Sequence, residues 1–143
     1  MARTDAIATK GLNDAINRMN IFSEIGVDIL FIEAVKSKED MIRIINEVPG
    51  NHMINLIEDG DTPLLEIDEL EKIGYKIAVL PLTLMSASVK TMQECLKNMK
   101  RRTYNTNVKK FSELRDIVGF NDYYEIEAFI VQLTTTPYID VHS

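Results

Sequence analysis

Four short runs recur along the chain at near-constant spacing, Met1–Asp5, Asp28–Ile32, His52–Leu56 and Lys76–Leu80, about 24 residues apart. Each is too short for a helix, and together they predict strands. The segments between them carry a helical period instead. Gly11–Ile25 places Leu12, Ala15, Ile16, Met19 and Phe22 on one stripe. Lys38–Glu47 opens after Ser37, with Asp40 three residues on, which is the pattern of a side-chain cap. Its predicted stripe is Met41, Ile42, Ile45 and Val48. A third, short helix points Ile67, Leu70 and Ile73 inward. A fourth, Leu84–Lys100, carries Met85, Val89, Met92, Leu96 and Met99.

Two helix-to-strand junctions read alike, Glu24-Ile25-Gly26-Val27-Asp28 and Lys72-Ile73-Gly74-Tyr75-Lys76. Glycine at that place suits a left-handed cap before a short loop back into a sheet. Strand, crossover helix, strand, repeated at a fixed period, is the signature of a parallel sheet. After residue 100 the character changes. Lys97 to Lys110 is basic and polar, without apolar period. Two short helices, Ser112–Val118 and Asp122–Leu133, follow around a Gly119-Phe120 break. Thr134–Ser143 carries no periodic signal. The predicted division is therefore 1–100 as four βα units, 101–110 as a linker, 111–133 as terminal helices and 134–143 as a frayed tail. A closed (β/α)8 barrel needs eight strands and about 250 residues. Met1 already stands in the first strand, with no polar lead-in. The expected fold class is thus α/β, the C-terminal half of a (β/α)8 TIM-type barrel followed by C-terminal helices, with the other half on the N-terminal side.

Composition narrows the function classes. The 143 residues include 22 acidic and 16 basic ones, a net charge of −6, which argues against a nucleic-acid partner. No apolar run approaches the roughly 18 residues of a membrane span, so no membrane partner is expected. A single cysteine, Cys95, cannot form an intramolecular disulfide framework and fits a reducing cytoplasm. Its position near an apolar helical stripe, far from any histidine, reads as core filler rather than nucleophile.

In a parallel barrel, chemistry collects at the C-terminal ends of the strands and in the loops that follow them. That rule selects Arg3, Thr4 and Asp5, then Glu33, then Asn55 and Glu58, then Pro81, Leu82 and Thr83. Arg3, in an expectedly buried strand, offers a planar fork for a carboxylate or phosphate. The competing reading is a structural ion pair with Asp5 or Glu33. Glu33 ends the run Ile29-Leu30-Phe31-Ile32 and either emerges at the barrel mouth or is simply solvated. Asn55, between Ile54 and Leu56, must hydrogen-bond a ligand or nearby backbone. Glu58-Asp59-Gly60-Asp61 lacks calcium-loop spacing and reads as a solvated acidic turn. His52 and His142 belong to no metal-ligand spacing, and no metal ligand is assigned in this chain.

Taken in order, Ala2-Arg3-Thr4-Asp5-Ala6, Phe31-Ile32-Glu33-Ala34, then Asn55 with Glu58 through Thr62-Pro63-Leu64, resemble the isocitrate lyase/phosphoenolpyruvate mutase superfamily. The likeness is to its methylisocitrate lyase, dimethylmalate lyase and carboxyphosphonoenolpyruvate mutase-like branch, and runs from Met1 through Val131. The resemblance implies a Mg2+-dependent barrel that acts on small 2-hydroxy or 2-oxo acids. Lyase members cleave a C–C bond through an enolate-like intermediate. It implies that Arg3 contacts the oxo-acid carboxylate and that Glu33 and Asn55 bind the remaining polar groups. Glu33 implies a lyase rather than a phosphoenolpyruvate mutase proper. Asp59, Asp61 and Ile57 depart from residues common in relatives. The acidic residues that support magnesium, and the loop bearing the lyase cysteine, belong to the first half of such a barrel. The helix Asn121–Leu133 is implied to pack on a neighbouring subunit, so a homo-oligomer is expected. Three readings follow: part of a C–C lyase completed by a separate N-terminal half and inactive alone, a non-catalytic truncated product, or a phosphonomutase or oxaloacetate-cleaving relative.

Overall fold

A computed structural model describes residues 1–135. Its elements run β1 (Ala2–Thr4), α1 (Ala6–Lys10), α2 (Leu12–Ile25), β2 (Leu30–Ile32), α3 (Lys38–Glu47), β3 (His52–Asn55), α4 (Ile67–Ile73), β4 (Ile77–Val79), α5 (Thr83–Lys100), α6 (Phe111–Ile117) and α7 (Phe120–Thr135). The four strands form one sheet in the order β1-β2-β3-β4. All three pairings are parallel, with Arg3 opposite Phe31, Phe31 opposite Met53 and Met53 opposite Ile77. This is the expected set of βα units. The strands are shorter than the sequence runs, because Asp28–Ile29 and Lys76 stay outside the ladder.

Successive strand residues point to opposite faces of a sheet. Leu30, Ile32, Ile54 and Leu56 lie on one face and share a buried core with Ala15, Ile16 and Met19 of α2, Met41 and Ile44 of α3, and Leu70 of α4. Arg3, Phe31, Met53 and Asn55 therefore occupy the other face. The Ser37 side chain caps α3 by accepting from the Asp40 amide at 3.0 Å, and the helix covers the residues its pattern predicts. Gly26 closes α2 in the left-handed region at φ 86°. Gly74 closes α4 at φ 124°, where a Cβ would also stand 2.8 Å from Ile45 Cγ2.

Several details of the predicted packing are corrected. The inward stripe of α3 is Met41, Ile44 and Val48, with Ile45 half-buried, and Ile42 is 39% exposed. At 100° per residue, positions 41, 48 and 44 fall within about 60° of one another on the helix, whereas 42 stands about 100° from 41 on the opposite side. Ile67, at the first turn of α4, is exposed rather than inward. A short helix, α1, fills the loop after β1 and has no counterpart in the sequence reading. The Arg3 side chain, expected inside a buried strand, is 48% exposed.

The chain divides into two compact units, the first ending at Gln93 and the second beginning at Glu94. No residue of α5 is buried, so the predicted stripe from Met85 to Met99 is exposed and Cys95 is only half-buried. In the second unit Gly119, at φ 78°, separates α6 from α7. Phe120 stacks on Tyr124, over whose ring Arg115 lies at 5.3 Å. Of the predicted tail 134–143, Thr134 and Thr135 continue α7, and residues 136–143 lie outside the described residues. Among the described residues no helix is long and apolar enough to cross a membrane.

Candidate functional site

The sheet face away from the helices carries Arg3 and Asn55, and the register brings their side chains to one end of the sheet. Arg3 lies opposite Phe31 in the ladder, and its guanidinium rests 5.1 Å above that ring. Stacking of this kind holds the planar fork in one orientation. Arg3 Nε and Nη2 donate to the two carboxylate oxygens of Asp5 at 2.7 and 3.0 Å. Nη2 also reaches Glu33 Oε2 at 3.3 Å. The same oxygen accepts from Asn55 Nδ2 at 3.3 Å. Asp5, Arg3, Glu33 and Asn55 thus form one chain of polar contacts across the ends of β1, β2 and β3.

The three residues singled out from the sequence, Arg3, Glu33 and Asn55, are therefore mutual neighbours. Arg3 also meets both partners of the competing reading, a structural ion pair. The Arg3 hydrogen bonds hold Asp5 below the usual carboxylate range, and the Asp5 carboxylate raises Arg3 further above its ordinary value. The guanidinium is cationic at any working pH. The Glu33 amide donates to the Thr4 carbonyl at 3.0 Å, which fixes where β2 ends relative to β1. Ala34 follows at φ 58°, a left-handed conformation unusual for a residue with a side chain. That turn takes the chain sharply away from the ladder just after the Glu33 carboxylate.

Beyond Glu33 and Asn55 lies a recess of about 160 Å3, lined also by Ala34, Ile57, Gly60, Asp61 and Thr62. Asp61, one of these lining residues, pairs with Lys36 at 4.0 Å. Glu58 is anchored by the Thr83 hydroxyl at 2.5 Å, which lowers its pKa and ties the loop after β3 to the start of α5. Asp59 adopts φ 62°, and Glu58 through Asp61 are exposed, as expected of a solvated acidic turn. Phe31 and Lys36 escaped the sequence reading, whereas Thr83 was among the strand-end residues it selected. The alternation of side chains along β1 and β2 is the signal that would have placed Phe31 beside Arg3.

A larger recess of about 650 Å3 lies between α3 and α4, lined by Lys38, Ile42, Asn46, Glu69 and Lys72 among others. It sits on the helix side, away from the strand ends, and contains an ion pair between Lys38 and Glu69. Size does not make it the site, because it gathers no convergent set of reactive groups.

The mouth does not fit a magnesium ion. Mg2+ demands six oxygens in near-octahedral array, and the carboxylates of Asp5 and Glu33 are both engaged by Arg3. Among the described residues no three His, Cys, Asp or Glu side chains converge as a metal site. What the arrangement offers is a fixed cationic fork, a carboxylate acceptor and an amide donor around a small recess. Such a set suits a short organic acid with several oxygens.

The family model for phosphoenolpyruvate phosphomutase matches residues 1–100. The chain is 37% identical over 131 residues to 2,3-dimethylmalate lyase of Eubacterium barkeri, covering 89% of this chain and 45% of that protein. It is 36% identical over 135 residues to the chloroplastic carboxyvinyl-carboxyphosphonate phosphorylmutase of Arabidopsis thaliana, covering 90% and 40%. The solved structure of an oxaloacetate acetylhydrolase with its product oxalate superposes with a TM-score of 0.78 at 22% identity, covering 90% of this chain and 46% of that one. The chain thus spans under half the length of these relatives.

Proposed function

This chain belongs to the phosphoenolpyruvate phosphomutase family, and from that premise we propose that it is the C-terminal part of a magnesium-dependent carbon–carbon lyase. Its substrate is a small 2-hydroxy dicarboxylate or tricarboxylate, of 2,3-dimethylmalate or 2-methylisocitrate type, in the cytoplasm. The observation that carries the proposal is the contact chain Asp5–Arg3–Glu33–Asn55 at the strand ends. An incoming carboxylate exchanges with Asp5 or Glu33 on the Arg3 fork, which presents more than one N–H in a plane. Glu33, released, then accepts from a substrate hydroxyl, while the Asn55 amide donates to a second oxygen.

Cleavage of the C–C bond places negative charge on oxygen, and a preoriented guanidinium stabilises that charge. Arg3 is the group in this chain able to do so at the mouth. The magnesium expected for the family finds no ligand set among these residues, so no step by this chain runs through it. Its ligands, and the cleaving machinery, are assigned to a separate N-terminal half, and the assembled enzyme to a homo-oligomer through α7. A phosphonomutase would use the same scaffold, and the 36% identity to a phosphorylmutase favours it as the second reading.

The test is turnover by the chain alone. Orientation without the group that completes the reaction leaves most of the barrier in place. The isolated chain should cleave 2,3-dimethylmalate, 2-methylisocitrate and oxaloacetate no faster than background. Turnover would refute the half-site reading.

A further inference from the structure

The charges around the mouth are unevenly matched. Arg3 is shared between Asp5 and Glu33, and Lys36, in the loop after Glu33, faces Asp61. Each cation here already has a carboxylate. The recess beyond Asn55 is walled by the apolar Ala34 and Ile57, with Asp61 at its rim. Gly60 lies directly over Ile57, since a Cβ there would stand 3.1 Å from Ile57 Cβ. The recess is therefore small, with Ala34 and Ile57 as its apolar walls beside Glu33, Asn55 and Thr62, and Asp61 adds an anion at its edge.

We propose that Asp61 is a specificity-determining residue of this mouth: it occupies Lys36 and turns away a third carboxylate, so the acid bound is a dicarboxylate whose remaining substituent is a small alkyl group. The inference rests on the reading of the mouth as an organic-acid site and narrows it. Two carboxylates can be met in turn by the Arg3 fork and by donors such as Asn55. A third, directed into the recess, would lose water against Ala34 and Ile57 and meet Asp61 instead of a free cation. An alkyl group in the same place loses only unfavourable contact with water. Because both Asp61 and Lys36 are largely exposed, solvent screens the effect to about twofold to fivefold in affinity.

The experiment uses the full chain, labelled with 15N, in magnesium-free buffer at pH 7.5. The amide signals of Glu33, Asn55 and Gly60 are followed while 2,3-dimethylmalate or 2-methylisocitrate is added. The native chain should bind the dicarboxylate more than about twofold tighter than the tricarboxylate. Asp61→Asn should lower that ratio by about twofold to fivefold, chiefly by tightening the tricarboxylate. Lys36→Met should leave the preference for the dicarboxylate in place. Equal affinities in the native chain, or an unchanged ratio in Asp61→Asn, would overturn the role of Asp61 alone. If neither acid moves the Glu33 or Asn55 signals, the organic-acid reading of the mouth fails, and this inference with it.

Discussion

Truncating Ile44 to alanine should cost far more stability than truncating Ile42, two residues away on the same helix. Ile44 is 1% exposed and belongs to the core that α2, α3 and α4 build on the sheet, whereas Ile42 is 39% exposed. Removing three buried carbons from a site that cannot fully collapse costs about 2–5 kcal/mol. The same change at a partly solvated position costs below about 1 kcal/mol. Since small domains are stable by about 5–15 kcal/mol, Ile44→Ala removes a large share of the total. For a unit of this size each kcal/mol moves the midpoint by about 4–8 °C, so the melting temperature should fall by at least about 8 °C. Urea and thermal unfolding, followed by circular dichroism at one protein concentration, measure both variants. Equal losses, or a larger loss for Ile42→Ala, would refute the reasoning, because α3 would then be rolled to put the Met41–Ile42–Ile45 stripe inward.

A pH dependence follows from His52, which is buried, bonds the Val48 carbonyl through Nε2 at 2.8 Å and meets the edge of Tyr75. Burial lowers its folded pKa below the ordinary 6.5, so the unfolded chain takes up the proton first and stability falls as pH drops below about 6.5. His52→Gln should flatten that part of the curve while leaving the loss at lower pH, where Asp5 and Glu58 become protonated; an unchanged slope between pH 5 and 6.5 would contradict it. Self-association is expected as well, since the free edge of β4 and the exposed Ile126, Phe129 and Ile130 of α7 leave apolar surface uncovered. Sedimentation at micromolar concentration should show oligomers or aggregates, and a well-behaved monomer would count against this.

The parallel sheet was legible because each of its four strands is announced twice, by a short apolar run and by the periodic segment after it. The α3 cap was legible because Ser37 and Asp40 stand at the one spacing that lets a side chain reach the amide three residues on. The roll of α3 was harder, because its isoleucines at 42, 44 and 45 leave more than one plausible stripe. Helix α1 was missed because Ala6–Lys10 is only five residues long, too short to display a period. At the site, Arg3, Glu33 and Asn55 stood out as polar residues at strand ends. Their contact depends on the register of three strands, and no single segment encodes it. Phe31 looked like core, because only its partner across the ladder shows that it carries the guanidinium. Lys36 looked like an ordinary loop residue, and Thr83 stood out only by its place at a strand end, since their partners Asp61 and Glu58 lie about 25 residues away in sequence.

The central claim is that Arg3 supplies the substrate-binding fork of a carbon–carbon lyase, and a chimera tests it most directly. In the 2,3-dimethylmalate lyase of Eubacterium barkeri, the segment matched by this chain is replaced by this chain itself, and cleavage of 2,3-dimethylmalate is assayed with magnesium. The chimera should turn over, and Arg3→Lys in it should lower kcat/KM about tenfold or more, because a point charge cannot reproduce a planar fork. A folded chimera without activity, or an Arg3→Lys chimera as fast as its parent, would contradict the account.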